Sequence, residues 1–327
     1  MKIGLAILAI IVGLLLLLEL GLRLVFGFGN PLIYIADEQI GYLLAPNQRT
    51  RRFGNRIEIN QYSMRSHAVS KERSHSTLRV LLLGDSIANG GWWTDRANII
   101  SATIAGQLES AASDIGFKEV EVLNASANSW GPRNELAYVE RFGTFDAQVL
   151  VLLINTDDLF ATAPTSLPVG RDRNYPNRKP PLALAEVFNR YLLPAPKLAA
   201  VNGEESDRVD RNLAAIEQIG LLAHQSNCHF LLAMTPLLRE IGNSGPRDYE
   251  LKERQRLTDF TQSQQILYLD FLPIFNRAQQ PETLYRDHIH LSPQGNHLVS
   301  EAISREILDF RLQISNLFGI DNFKSEI

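Results

Sequence analysis

Three kinds of hydrophobic pattern follow one another along the chain, and their order predicts most of its architecture. The first is continuous: from Ile3 to Leu18 every residue is apolar or glycine, and the run resumes as Leu20–Leu22 and Leu24–Phe28 around Glu19 and Arg23. About 20 apolar residues in a helix cross the hydrocarbon core of a bilayer, so residues 3–28 are long enough to span it. Glu19 and Arg23 stand four apart and can pair with each other near the far interface. The bulky Phe26-Gly27-Phe28-Gly29-Asn30 that follows makes a poor cleavage site, which favours an uncleaved signal anchor over a removable signal peptide. Lys2 and the amino terminus favour a cytoplasmic N-end. The reading is a single-pass protein whose folded part lies outside the cytoplasm.

The second pattern is the short apolar run, found at Leu78–Leu83, Val120–Leu123, Val149–Ile154, Phe230–Met234 and Ile266–Leu269; runs of this length with no polar alternation predict strands buried on both faces. Between them lies the third pattern, helical spacing, over Ile99–Ala112, Asn134–Phe142, Asp207–His224 and Ser292–Phe310. The last of these opens on Ser292 as N-cap with Pro293 at the first helical position. Strand and helix alternate, which predicts a three-layer α/β/α fold around a five-stranded, mostly parallel sheet with right-handed crossovers.

The remainder carries no such pattern. Residues 30–77 are polar and rich in Arg, Asn and Ser, with Tyr34 and Tyr42 suggesting short strands or turns, and read as a stalk. Residues 161–206, and Ala163–Pro196 above all, are dense in Pro, Arg and Asn and read as an insertion, either a lid over a pocket or a surface excursion. The chain therefore divides into an anchor (1–29), a stalk (30–77), a domain (78–315) with that insertion, and a tail (316–327).

Composition narrows the function classes. With 327 residues, 45% hydrophobic and 21% charged, the chain has the makings of a folded core. A net charge of -4 and pI near 6.0 argue against a nucleic-acid surface, which needs clustered cations in excess. Arg49, Arg51, Arg52 and Arg56 suit a solvated juxtamembrane segment or anionic lipid headgroups. Cys228 is the only cysteine, so no intrachain disulfide and no multi-cysteine zinc site can form. Its neighbour Phe230–Leu232 points to a buried structural thiol. Neither a metal nor a cofactor is expected.

Two motifs carry chemistry. Leu81-Leu82-Leu83-Gly84-Asp85-Ser86 places a serine just past the carboxyl end of the first central strand, where open α/β sheets present their functional loops. There backbone N–H groups can face a developing oxyanion. Gly-Asp-Ser alone also makes an ordinary capped turn. Near the other end, Asp287-His288-Ile289-His290-Leu291-Ser292 sets a carboxylate three residues before an imidazole. Asp287 can accept the Nδ1–H of His290 and leave Nε2 to take the Ser86 proton; the bland alternative is that His290 packs or caps. Trp92 and Trp93, after Gly90-Gly91, wall a pocket beside Ser86 or belong to the core. His288 and His297 read as surface residues.

Taken together the motifs resemble the SGNH/GDSL hydrolases. Gly84-Asp85-Ser86 is similar to their nucleophile block, and the run Asp287 to Gly295 (DHIHLSPQG) to their Asp-x-x-His block, over roughly residues 78–310. The resemblance implies a flavodoxin-like sheet, a Ser86-His290-Asp287 centre for ester chemistry, and two further oxyanion donors. One is a glycine N–H, whose place in Asn124-Ala125-Ser126-Ala127-Asn128-Ser129 is taken by Ser129, which keeps an N–H. The other is an asparagine amide, whose place in Asn155-Thr156-Asp157-Asp158 is taken by Asp157. An ionised carboxylate cannot donate, so either Asn155 supplies the amide, or Asp157 is held protonated, or the site runs a slower or different acyl transfer. The expected partner is an ester-bearing small molecule, lipid or envelope glycan. Hydrolysis leads; O-acyl transfer to an envelope polysaccharide and a catalytically impaired binding or assembly protein are the alternatives.

Overall fold

A computed structural model describes residues 2–113, 116–194, 196, 207–242 and 245–318, with the backbone alone beyond 310. Residues 195, 197–206 and 319–327, which belong to the expected insertion and tail, lie outside the described residues.

Nine strands occur among the described residues: β1 (Tyr34–Asp37), β2 (Gly41–Leu44), β3 (Gln48–Arg52), β4 (Asn55–Ile59), β5 (Thr77–Gly84), β6 (Glu119–Ser126), β7 (Val149–Asn155), β8 (His229–Thr235) and β9 (Leu267–Asp270). The last five form one sheet in the order β6-β5-β7-β8-β9, with every neighbouring pair parallel. The α-helices are α1 (Lys2–Gly21), α2 (Ser86–Asn89), α3 (Ile100–Glu109), α4 (Pro132–Phe142), α5 (Ala183–Val187), α6 (Arg208–Gln225), α7 (Asp248–Ser263), α8 (Phe271–Asn276) and α9 (Pro293–Phe318). The expected α/β architecture with a five-stranded sheet is therefore present, and the sheet is parallel throughout.

The apolar runs become strands because both faces of this sheet are covered. In β5, Leu81 and Leu83 enter one core with α4 and α6 side chains such as Tyr138 and Ile216. Leu78, Val80 and Leu82 enter the other with Ile104 of α3 and Ile303 of α9. Successive strand residues point to opposite faces, so a strand buried on both sides needs an apolar residue at each step. Each fully buried leucine contributes about 1.5–3 kcal/mol of transfer free energy.

Two parts of the chain depart from expectation. Residues 30–77 are not a stalk: β1 pairs with β2 and β3 with β4 as antiparallel hairpins. Tyr34, Tyr42, Leu44, Ile57, Ile59 and Met64 lie in the same core as Leu81 and Leu83. Ile57 and Ile59 of β4 alternate with Arg56 and Glu58, and β1 and β2 span only four residues each, which makes the average composition look like linker. α7, unmarked by the hydrophobic pattern, buries Leu257 beside the charged Glu250 and Arg254.

α1 is the single described helix long and apolar enough to cross a membrane; with its continuation it runs Lys2–Phe26, and none of its most apolar window is buried in the protein.

The segment after β4 also braces the loop beyond Ser86. Arg65 is buried, and its guanidinium donates to the carbonyls of Asn89, Gly91 and Thr94, the last two at 2.5 Å. Its own N–H reaches Asn124 O at 2.8 Å on β6. Burial lowers the guanidinium pKa to about 10, so it stays charged at neutral pH. Arg65→Met keeps the stem but strands these carbonyls without a donor. We expect a loss of about 3 kcal/mol in urea unfolding; a loss under about 1 kcal/mol would contradict the bracing role.

Candidate active site

Ser86 begins α2 directly after β5, at the C-terminal edge of the sheet. The chain can turn there only because residue 84 is glycine: a Cβ on Gly84 would lie 2.6 Å from Leu153 O of β7 and 2.8 Å from the Ala88 Cβ. Asp85 caps the short helix, its Oδ1 accepting the Ile87 N–H at 2.7 Å. The capping turn that the bland reading expects is thus present, and it also sets the largely buried Ser86 hydroxyl at the sheet edge.

The imidazole arrives from the loop before α9. Ser292 caps α9 by accepting the Gly295 N–H at 3.1 Å, and Tyr285 pairs with Leu291 in an antiparallel bridge. Between them Asp287 folds back: its Oδ1 accepts the N–H groups of Ile289 (3.1 Å) and His290 (2.8 Å). Its Oδ2 lies 2.9 Å from the ring Nδ1 of His290, and the opposite nitrogen, Nε2, lies 2.9 Å from Ser86 Oγ. Burial alone would raise the Asp287 carboxyl, but the two N–H groups and the His290 ring outweigh it and hold it below the usual carboxylate range. An ionised Asp287 favours the Nδ1–H tautomer, which leaves the Nε2 lone pair aimed at the serine.

Ser86, His290 and Ser129 face one cleft of about 300 Å³, walled by Trp92, Trp93 and Tyr175. Trp93 lies 4.4 Å from the His290 ring, centroid to centroid, and the Arg286 guanidinium stacks 4.8 Å from the Trp93 ring. Ser129 sits at φ +57°, the left-handed region that favours glycine. The serine therefore keeps a glycine-like backbone, and its hydroxyl accepts a hydrogen bond from the Tyr175 hydroxyl at 2.9 Å. Tyr175 belongs to the insertion, so the described part of that segment covers the site. An apolar cavity of about 380 Å³ near Cys228 and Phe230 lies at the opposite, N-terminal ends of the strands and is remote from this chemistry.

Asn155 and Asp157 do not join the cleft as expected. Asn155 is buried, and its amide donates to Asp85 Oδ2 (3.0 Å) and Asp158 Oδ2 (2.8 Å). Its Oδ1 accepts the Asp157 N–H at 2.8 Å. The amide is thus occupied behind Ser86, and the Asp157 side chain is exposed. Block alignment misled because an asparagine at the end of β7 satisfies a buried acid pair here. Two amides that the motifs did not single out do line the cleft, Asn89 and Asn128. Asn89 donates to Ser126 O at 3.1 Å, while the buried Oδ1 of Asn128 has no partner among the described residues. Only proximity to the two motifs, three residues after Ser86 and one before Ser129, signals them.

The acids behind Ser86 are costly. Burial raises the Asp85 carboxyl. Asp158 stands well above the usual range because of burial and the nearby carboxyls of Asp85 and Glu135. Glu135 is fully buried, both of its oxygens lack partners, and burial with Asp85 nearby raises it well above the usual range.

The fold is that of an α/β protein carrying a serine, an imidazole and a carboxylate at the C-terminal edge of a parallel sheet. The sequence model of the GDSL-like Lipase/Acylhydrolase family matches residues 82–298, and the chain belongs to that family. Membership supports ester hydrolase activity. No curated protein matches the chain. Among solved structures, it resembles an acetylxylan esterase from Geobacillus stearothermophilus at 16% identity and a TM-score of 0.48, covering 73% of this chain and 96% of that one. It also resembles a GDSL-like lipase from Bacteroides thetaiotaomicron at 12% identity and 0.44, covering 74% and 92%. An alpha/beta hydrolase from the metagenome of Lake Arreo, Spain, matches at 13% identity and 0.46, covering 71% and 95%. At such values no residue role or substrate is carried over from these structures.

Glu135 yields a prediction. A carboxyl whose folded pKa exceeds its unfolded one adds no penalty below the ordinary glutamate range and destabilises the fold as pH rises above it, until the folded pKa is reached. Glu135→Gln removes that term, so its melting temperature relative to the unsubstituted protein should climb with pH, by about 2–4 °C for each unit by which the folded pKa exceeds the unfolded one. A difference independent of pH between 4 and 8 would contradict the assignment.

Proposed function

We propose that the chain is a membrane-anchored ester hydrolase in which Ser86 is the nucleophile, His290 its base and Asp287 the group that orients the imidazole. The observation that carries this reading is the unbroken relay of two 2.9 Å contacts from Ser86 Oγ through the His290 ring to Asp287. Ser86 Oγ attacks the ester carbonyl carbon as its proton passes to His290 Nε2. The carbonyl oxygen, now an anion, is met by backbone N–H groups at Ser86 and Ser129. Collapse expels the alcohol, which takes the proton from His290, and leaves an acyl-serine. Water then repeats the sequence, giving its proton to His290 and releasing the acid.

With the Asn155 amide occupied by Asp85 and Asp158, the oxyanion rests on backbone donors with Asn128 beside them; one side-chain donor fewer lowers turnover by about 100- to 1000-fold. The apolar α1 supports anchorage. An anchored site would meet lipids and acylated glycans, the ester classes this reading favours.

Short p-nitrophenyl esters test the assignment. Ser86→Ala should abolish turnover, and Asp287→Asn, which keeps the shape but reverses the tautomer, should lower kcat by about 10⁴-fold with KM little changed. Undiminished turnover in the well-folded Ser86→Ala protein would overturn the proposal.

A further inference from the structure

Surface helices in water normally turn charged side chains outward and apolar ones inward. The segment made of α5 and its wide-turned continuation Phe188–Leu192 does the reverse. Ala183, Glu186 and Arg190, spaced i, i+3 and i+7, face the protein. Glu186 is buried against Arg52 and accepts the Gly29 N–H at 2.6 Å. Leu182, Phe188, Tyr191 and Leu192 face outward, from 50% exposed at Leu182 to 69% at Leu192. Burying the charges and exposing the large apolar side chains are both unfavourable in water, and both reverse where the outer medium is lipid.

The neighbours of this segment say which apolar medium it meets. Glu19, near the end of the apolar helix, accepts the N–H groups of Ala183 (2.8 Å) and Leu184 (2.9 Å). Arg23 bonds Glu19 at 2.6 Å and donates to Pro181 O at 2.8 Å. The outward apolar face thus begins where the exposed apolar helix ends, and the two form one continuous surface. From that junction aromatic rings run inward without a gap. Phe26 meets Phe53 at 5.8 Å, Phe53 meets Trp92 at 5.4 Å, Trp92 meets Trp93 at 5.8 Å, and Trp93 meets His290 at 4.4 Å.

We infer that residues 182–192, with Phe26 and Phe53, seat in the bilayer that holds α1, so that the cleft opens at the lipid surface and draws its ester from the membrane, the acyl chain following Phe53 and Trp92 to Ser86. This deepens the reading of the chain as a membrane-anchored ester hydrolase and rests on it for the ester, while the seat itself needs no turnover to be observed.

The test uses the full chain in phosphatidylcholine vesicles. Leu192→Cys in a Cys228→Ala background, labelled with an environment-sensitive fluorophore, should give blue-shifted emission that brominated phosphatidylcholine quenches. Water-like emission overturns the seat, and so does apolar emission without bromolipid quenching, the result for a second copy of the chain packed on this face. In parallel, Phe188→Glu with Leu192→Glu should leave p-nitrophenyl acetate turnover within about twofold while slowing hydrolysis of a long-chain ester dissolved in the vesicles by at least about tenfold. Equal effects on the two esters overturn the membrane route. If the unsubstituted protein cleaves neither ester, the hydrolase reading fails, and the quenching result still decides the seat.

Discussion

The structure turns on one contact, the 2.9 Å approach of His290 Nε2 to Ser86 Oγ across most of the domain's sequence. Neither side chain is held by its own neighbours alone. The serine is fixed because β5 is buried on both faces and exits through a glycine that fits against β7. The imidazole is fixed because Asp287 spends one oxygen on the loop's N–H groups and the other on the ring. α9, capped at Ser292, carries that loop to the same sheet edge by burying Val299, Ile303 and Ile307 in the core that α3, β5 and β7 share. A shift of about 1 Å in either support would break this contact while leaving the fold intact.

Behind this contact the protein tolerates an electrostatic load. Asp85, Asp158 and Glu135 lie together in the interior, and the Asn155 amide binds the first two. A carboxyl within 3.2 Å of the Ser86 hydroxyl competes with His290 for its proton while charged and does so much less while protonated. Raised carboxyl pKa values are therefore consistent with a serine that gives its proton to the imidazole. The same cluster accounts for the departure at the third motif: Asn155, one of the expected substitutes for the oxyanion amide missing at Asp157, is engaged by buried acids.

Much of this was legible in the sequence. The five apolar runs became the five strands because central parallel strands must be apolar at every step, a signal that survives without any alignment. The meeting of Ser86, Asp287 and His290 was legible because the two motifs set these residues beside a strand exit and a helix cap at one sheet edge. The hairpins of 30–77 were not, since β1 and β2 span only four residues each and β3 and β4 carry Arg and Glu on their solvated side. α7 was not, since it buries charged residues such as Glu250 and Arg254 in ion pairs. The inverted faces of residues 182–192 were not either: a 3.6-residue period reports that a helix has two faces, never which of them the protein keeps.

The most direct measurement of the central claim is labelling with a fluorophosphonate, which bonds only to a serine whose proton has somewhere to go. The account predicts a single adduct, located by peptide mass on Ser86, and its loss in His290→Ala protein that remains folded. An adduct on another serine, or undiminished labelling of Ser86 without the imidazole, would contradict it.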